Sequence, residues 1–300
     1  MPKGRKNTRK TPVTSVAPSD RTSLPFGSSN RPQVTRTIIR RFHVLIKRQT
    51  QLQHPLRDAG SKKSNTDLMS AKAELADIER EIEGLGGLAA YQRMSTIGQG
   101  KDRGGGSEKV LIGWLRELGL PEELKHKGTC KLRLLEVGAL KPDNYASCQA
   151  WIDVTPIDLH SQHPSILEQD FLLMDPEEHR EKWGAISLSL VLNFVPDAKD
   201  RGQMLRLAHT MLHPGGLLFV TLPLPCILNS RYTTAEHYEG LMGTVGFEKL
   251  QSRWKDDGKM AYWLFRRIER SASTTYRDHV LYEKKTVFRT GDRNNFVILL

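Results

Sequence analysis

Leu132-Arg-Leu-Leu-Glu-Val-Gly138 is the stretch that decides the fold. A short apolar run ends in an acid and a glycine. A second apolar run closes on Asp158, 20 residues beyond Gly138, and a third approaches Asp170-Phe171. A strand stopping at glycine, with an acid ending the next strand about 20 residues later, is the geometry of a nucleotide-type site on an open α/β sheet. Gly138 lets the backbone approach a ligand closely, and Asp158 can accept hydrogen bonds from ribose hydroxyls. Ala139-Leu140-Lys141 stand where a G-x-G-x-x-G loop would carry its next glycines, which argues against a pyrophosphate cradle. A nucleoside without phosphates, such as S-adenosylmethionine, fits better. On this segment alone, a plain Rossmann-type strand with a tight turn fits equally well.

The downstream segments separate the two. Gly184-Ala-Ile-Ser-Leu-Ser-Leu-Val-Leu-Asn-Phe-Val-Pro196 reads as a buried parallel strand ending in a polar-aromatic-proline turn, because strands covered on both faces are nearly continuous in apolar residues. Met204, Leu205, Leu207, Ala208, Met211 and Leu212 then recur at helical spacing, and His213-Pro-Gly-Gly216 stops that helix. Leu217–Leu222 is the next strand. A helix near 234–245 leads into strands around 247–254 and 259–266. This alternation predicts a doubly wound, mostly parallel sheet resembling that of the class I methyltransferases. Between Gly138 and Asp158 only Lys141–Gln149 remains for a crossover helix, so that helix must be short or distorted. Pro156 falls inside the second strand, where it removes a ladder donor, and a bulge is expected there.

Charge is unevenly placed along the 300 residues. Residues 1–48 hold 12 Lys/Arg against one acid, Asp20, whereas the remainder carries 33 bases and 33 acids. The net charge of +11 therefore belongs to an N-terminal arm, which suits phosphate contacts or nuclear and nucleolar targeting. Residues 1–33, rich in Pro, Ser, Thr, Lys and Arg, read as disordered. Residues 34–108 form a helical N-terminal region, 109–269 the ligand-binding domain, and 270–300 an extension packed on it. Within the first of these, Ile38, Ile39, Phe42, Leu45 and Ile46 mark an amphipathic helix over Val34–Gln53, and its Arg36, Arg40, Arg41, Lys47 and Arg48 can meet RNA phosphates. Helices are expected at 67–83 and around Ala89–Ser95. Gly98–Gly106 is a flexible basic loop without Walker A spacing. Ser107 can cap a helix whose apolar face is Val110, Leu111, Trp114, Leu115 and Leu118.

Other chemistries lack their residues. Cys130, Cys148 and Cys226 are odd in number and lack C-x-x-C spacing, which points to reduced thiols in the cytosol or nucleus. His160 and His163 have ligand spacing without a cysteine partner, so no metal is expected. No signal-peptide pattern and no bilayer-length apolar stretch is present, and hydrolase motifs are missing. Asn193-Phe194-Val195-Pro196 differs in kind. At a strand's carboxyl end it would face the reactive methyl group, with Asn193 at a base edge and Phe194 stacking a displaced base. A capped turn with Phe194 in the core is the alternative.

Several longer stretches resemble the fungal 25S ribosomal RNA adenine-N1 methyltransferases. They are Arg41–Arg48, Tyr91–Gln99 with Arg103–Gly106, Leu134–Gly138, Trp151–Leu159, Ser187–Pro196, Leu222–Tyr232 and Arg293–Phe296. The similarity covers residues 34–300 and leaves out the arm. It implies a nucleolar enzyme that uses S-adenosylmethionine to methylate N1 of one adenine in large-subunit rRNA or a pre-ribosome, working as a monomer without metal or membrane. The family's cofactor contacts fall on Gly138 and Asp158, with Glu136 beside them. By class I analogy Asp170 and Phe171 flank the cofactor adenine, and Asn193, Phe194 and Pro196 form the catalytic turn. The alternatives are a non-catalytic S-adenosylmethionine sensor of the same fold and a methyltransferase acting on a protein or small molecule.

Overall fold

The computed structural model describes residues 37–38, 41–42, 44–46, 48–49, 52–53, 65–87, 90, 106–126, 128, 131–161, 163–256, 258–269 and 280–300. The arm at 1–33, the loop at 98–105 and, apart from Ala90, the helix expected around 89–95 lie outside the described residues.

Seven strands form one sheet: β1 (Leu132–Val137), β2 (Ile152–Asp158), β3 (Leu167–Glu168), β4 (Trp183–Ser189), β5 (Leu212–Pro223), β6 (Phe247–Arg253) and β7 (Met260–Arg267). Their order is β3-β2-β1-β4-β5-β7-β6. Neighbours from β3 to β5 run parallel, and β7 is antiparallel to both β5 and β6. This is the sheet of the class I methyltransferases, as the segment pattern predicts. A helix crosses between β4 and β5 and shorter 3-10 turns or loops join β1 to β4 in the parallel half, while the short β6–β7 connection allows an antiparallel return.

The helices α1 (Asn65–Gly84), α2 (Glu108–Glu117), α3 (Leu120–His126), α4 (Ala198–Met211), α5 (Pro225–Leu228) and α6 (Ala235–Val245) accompany the strands, and the described residues between 37 and 53 are helical too. Their ends follow local chemistry. Asp197 caps α4 by accepting from the amides of Lys199 and Asp200, and Thr234 caps α6 by accepting from His237 at 3.1 Å. α4 and α6 cover one face through Leu205, Ala208, Met211, Leu241 and Met242, packed on Ile186, Leu188, Leu218 and Val220. α2 covers the other, with Leu111, Trp114 and Leu115 against Leu132, Leu134, Leu217, Phe219 and Leu264. The Trp114 and Phe219 rings meet edge to face at 5.8 Å.

The crossover after β1 is short, as expected: a single 3-10 turn, Ala146–Cys148. Four local expectations change. β5 begins at Leu212, so His213–Gly216, expected to stop the helix ahead of a strand at Leu217, lie within the strand. β2 pairs with β1 from Ile152 to Ile157 without a register shift, so Pro156 makes no bulge. The carbonyl of Ile157 accepts from the β1 side and that of Asp158 from Gln169 on the β3 side. By alternation the Pro156 nitrogen faces β3, whose ladder begins only at Ile157↔Leu167, so no bond is lost. β4 stops at Ser189 instead of running to the proline, because Leu190 takes a left-handed φ of 60° and breaks the strand. Ser107 lies in the helical region without capping α2, and its hydroxyl bonds that of Ser189 instead.

In the N-terminal region Leu45, Leu52 and Ile78 form a separate small core, joined by Leu75 and Ile82 of α1. Across it Arg41 pairs with Glu81 and Arg48 with Glu74, each through two hydrogen bonds. These two arginines, expected to meet RNA, are matched by carboxylates of α1. Periodicity gives the helix but not the partner that neutralises its charge.

Candidate active site

Toward its carboxyl end the α2 face of the sheet changes character. Leu132 and Leu134 on β1, Ala185 on β4, and Leu217 and Phe219 on β5 give way to Glu136, to Ser187 and Ser189, and to Thr221. Glu136 lies opposite Ser187 in the ladder, and Ser189 lies opposite Thr221. Glu136, Ser187 and Thr221 are buried. Buried polar groups cost free energy unless bonded, so a polar strand-end layer marks a place where a ligand or a network must satisfy them.

Part of that network is internal. Glu136 accepts from the Asn144 amide at 2.6 Å, and Tyr145, buried beside it, bonds Ser187. Burial pushes the Glu136 carboxyl up to about 7, with the neighbouring Glu108 adding to the rise and Asn144 opposing it. Burial likewise pushes the Tyr145 phenol up, reinforced by Glu136. Part is not satisfied: Thr221 Oγ1 is buried with no hydrogen-bond partner.

Gly138 ends β1 with φ 75°, and its amide and that of Ala139 both donate to the Ile157 carbonyl, at 2.9 and 3.0 Å. A Cβ on Gly138 would lie 2.9 Å from Val191 Cγ2. Glycine is therefore required twice here, by backbone conformation and by the close approach of the turn after β4. Asp158, half-buried at the end of β2, accepts from the His160 amide at 2.9 Å, which fixes its carboxylate at the strand end. Asp170 caps the 3-10 turn Phe171–Leu173 by accepting from Leu172 at 2.8 Å. The Phe171 ring is 3% exposed and belongs to the core with Leu135 and Val137. Apolar neighbours enclose it at the strand end, directly after Asp170.

Asn193-Phe194-Val195-Pro196 sits on the turn that Leu190 begins, closed by Phe194 and Val195 amides donating to Val191. Asn193 is buried, and its Oδ1 has no hydrogen-bond partner. Phe194 is half-buried, neither a core ring nor a free one. A group that sequence reasoning missed holds the turn. Arg201 of α4, 4% exposed, donates to the carbonyls of Val195, Pro196 and Val297, with its guanidinium 4.9 Å from the Phe296 ring. Gly202 beside it permits the C-terminal segment to pass, because a Cβ there would meet the Leu299 carbonyl at 1.8 Å. In the sequence Arg201 looks like one more solvated helix cation.

These residues fit S-adenosylmethionine. A buried acid, hydroxyls and a ribose-height carboxylate suit an amino acid joined to a nucleoside, and the glycine turn leaves space without a phosphate cradle. His163 Nδ1 accepts from Ser165 at 3.1 Å, and no group of metal-ligating side chains occurs among the described residues. Among those residues no helix is long and apolar enough to cross a membrane.

The family model for 25S rRNA (adenine(2142)-N(1))-methyltransferase, Bmt2, matches residues 76–298. The chain belongs to that family. A 25S rRNA adenine-N(1) methyltransferase of Schizosaccharomyces pombe is 35% identical over 269 residues, covering 87% of this chain and 89% of that protein. The 25S rRNA (adenine(2142)-N(1))-methyltransferase of Saccharomyces cerevisiae is 34% identical over 227 residues, covering 75% of this chain and 61% of that protein. Among solved structures, the N-methyltransferase NodS of Bradyrhizobium japonicum, in complex with S-adenosylhomocysteine, is 18% identical with a TM-score of 0.36, over 51% of this chain and 86% of its own. A 16S rRNA (adenine(1408)-N(1))-methyltransferase from Catenulisporales acidiphilia is 10% identical with a TM-score of 0.35, over 50% of this chain and 91% of its own. The Bmt2 match takes in the polar strand ends, the Asn193 turn and Arg201 together.

Proposed function

We propose that this Bmt2-family chain is an S-adenosylmethionine-dependent methyltransferase acting on N1 of an adenine in large-subunit (25S) rRNA, in the nucleolus. The observation that carries the reading is the polar carboxyl edge of an otherwise apolar sheet, Glu136, Asp158, Ser187, Ser189 and Thr221, beside a buried and unpartnered Asn193 Oδ1. When bound, S-adenosylmethionine supplies an electrophilic methyl group on a sulfonium.

The chain's own residues bind and orient. Gly138 lets the backbone lie against the methionine portion, with Glu136 behind it for the cationic ammonium. Asp158 takes the ribose hydroxyls, and Asp170 lies near the adenine end of the same edge. Adenine N1 already carries a lone pair, so the chain need not remove a proton before transfer. The Asn193 Oδ1 can accept from the adenine N6 amino group, which fixes the base edge and leaves N1 open, and Phe194 can stack on the ring. Alignment in an enclosed site then supplies much of the acceleration, worth about 7–11 kcal/mol in oriented intramolecular reactions. The basic residues of the arm add phosphate contacts or nucleolar retention.

Purified protein incubated with S-adenosylmethionine labelled in the methyl group and unmodified 25S rRNA should label the RNA, and Asn193→Ala should not. Tight cofactor binding without transfer to any RNA would instead favour a sensor, and label appearing only on protein would favour a protein methyltransferase.

A further inference from the structure

The loop after α5 leaves the carboxyl edge of the sheet and is stitched to the C-terminal segment. The amide of Arg231 donates to the Asn294 carbonyl at 2.9 Å, that of Asn294 to Asn229 at 3.0 Å, and that of Phe288 to Arg231 at 2.9 Å. Ser230 and Thr233 hydroxyls both donate to the Phe296 carbonyl. Two stretches distant in sequence, 229–232 and 284–293, thus make one fixed surface.

That surface is cationic in a body whose total charge is zero. The two stretches carry Arg231, Lys284, Lys285, Arg289 and Arg293 against one acid, Asp292. Arg231 donates to Asn295 Oδ1 at 2.8 Å and to the Gly291 carbonyl at 3.1 Å, and Arg293 donates to Asn229 Oδ1 at 2.7 Å. Arg289 donates to the carbonyls of Ile227, Ser230 and Thr233. Amide and carbonyl oxygens hold Arg231 and Arg293 in place without neutralising them, whereas Arg289 also interacts with the Glu236 carboxylate. The carboxylates facing Arg41 and Arg48 do the opposite.

Aromatic rings are interleaved with these cations. Tyr232 lies 5.9 Å from the Arg231 guanidinium and 5.8 Å from Lys285 Nζ. Phe288 is 43% exposed and meets the His237 ring at 4.8 Å in a tilted arrangement. Buried contacts tie the patch to the catalytic turn from beneath: Ser230 bonds the Phe296 carbonyl, the Phe296 ring lies under Arg201, and Arg201 holds the carbonyls of Val195 and Pro196.

We propose that this surface is the RNA track of the enzyme, gripping the single-stranded segment beside the target adenine. Lys284, Lys285, Arg231 and Arg293 face phosphates, and Tyr232 and Phe288 take the faces of flanking bases. The inference rests on the RNA-methyltransferase reading. Fixed cations alternating with rings suit a flexible strand, since phosphates give affinity and every base has a face to stack. Rings set among the cations, on a segment tied to the Asn193 turn, favour RNA over an acidic protein, which offers no bases to stack.

The test uses the full chain with Lys284→Gln/Lys285→Gln and, separately, Phe288→Ala. Affinity for a single-stranded RNA oligonucleotide with a central adenine is measured across a salt series, with S-adenosylmethionine affinity and steady-state methylation alongside. For the double variant the log–log salt slope should fall by about 1.4, roughly 0.7 for each phosphate that a lysine no longer neutralises on a single strand. Phe288→Ala should weaken RNA binding about tenfold with the slope unchanged, as expected when one base loses its stacking ring. Both should raise KM for RNA while leaving kcat and cofactor affinity in place. Wild-type RNA affinity and slope in both variants would overturn the proposal, as would a loss confined to binding of polyglutamate, which would assign the surface to an acidic protein. Should the wild type bind RNA but transfer no methyl group, the methyltransferase reading fails while the affinity series still decides the track.

Discussion

Arg201 on α4 donates a hydrogen bond from its guanidinium to the carbonyl of Val297, 96 residues further along the chain. The same group holds Val195 and Pro196, so one buried cation fastens the turn bearing Asn193 to the C-terminal segment. Burial pushes its pKa down from the ordinary arginine value, yet carbonyl dipoles around it keep the charge in place. Arg201 is a positioning residue.

Arg201→Met should leave these carbonyls without donors and destabilise the fold by on the order of 3 kcal/mol, measured by denaturant unfolding. Arg201→Lys should recover part of that stability. Where the variants stay folded, kcat should fall while S-adenosylmethionine affinity holds, because the turn and not the cofactor edge has moved. Loss of cofactor affinity in parallel with kcat would mean that Arg201 acts only through the stability of the whole domain.

Glu136 carries a pH signature. Its carboxyl is raised from 4.5 to about 7 in the folded protein, so the fold holds the proton more tightly than the unfolded chain. Its contribution to stability is complete below the unfolded value and is lost as pH rises through the folded one. The loss amounts to on the order of 3 kcal/mol across that window. Denaturation of the ligand-free protein from pH 4.5 to 7 should show this slope, and Glu136→Gln should flatten it. A cationic ligand group beside Glu136 favours the carboxylate. Cofactor binding near pH 7 should therefore release a proton, seen by calorimetry in buffers of different ionisation enthalpy and absent in Glu136→Gln.

Gly138→Ala should weaken S-adenosylmethionine binding at least tenfold. The left-handed backbone disfavours a side chain by about 1–2 kcal/mol, and the new methyl meets Val191. Adding Val191→Ala should relieve the contact but not the backbone strain, giving partial recovery of affinity. Equal affinity for wild type and Gly138→Ala would remove the strand-end glycine from the cofactor site.

Asn193→Ala separates catalysis from folding. Its Oδ1 has no hydrogen-bond partner in the protein, so truncation should cost no stability and could add about 1 kcal/mol by removing a buried unsatisfied acceptor. RNA methylation should nevertheless be lost. A strongly destabilised Asn193→Ala would show that the amide serves the fold.

The sheet was legible in the sequence because its strands are dense in apolar residues and its helices are periodic. α4, α6, β6 and β7 fall where those patterns put them, and β4 and β5 are found with shifted ends. The strand ends at Gly138 and Asp158 could be read because a turn conformation and a strand-end acid each leave a local mark. The turn after β4 hides within a longer apolar run, since Val191 and Leu192 are as apolar as the strand and only the φ of Leu190 ends it. The polar edge left a trace in the alternation Ser187-x-Ser189 and in Thr221, which the apolar density of those strands obscures. Arg41, Arg48 and Arg201 could not be assigned, because partners 40, 26 and 96 residues away decide whether each charge is neutralised, held by carbonyls or offered to RNA.

Mass spectrometry of nucleosides from 25S rRNA, incubated with S-adenosylmethionine and either wild-type protein or Asp158→Ala, tests the central claim most directly. The account predicts that 1-methyladenosine appears with the wild type, at one site per rRNA, and is absent with Asp158→Ala. Tight S-adenosylmethionine binding by the wild type without any gain of 1-methyladenosine, on free rRNA or on pre-ribosomal particles, would contradict it.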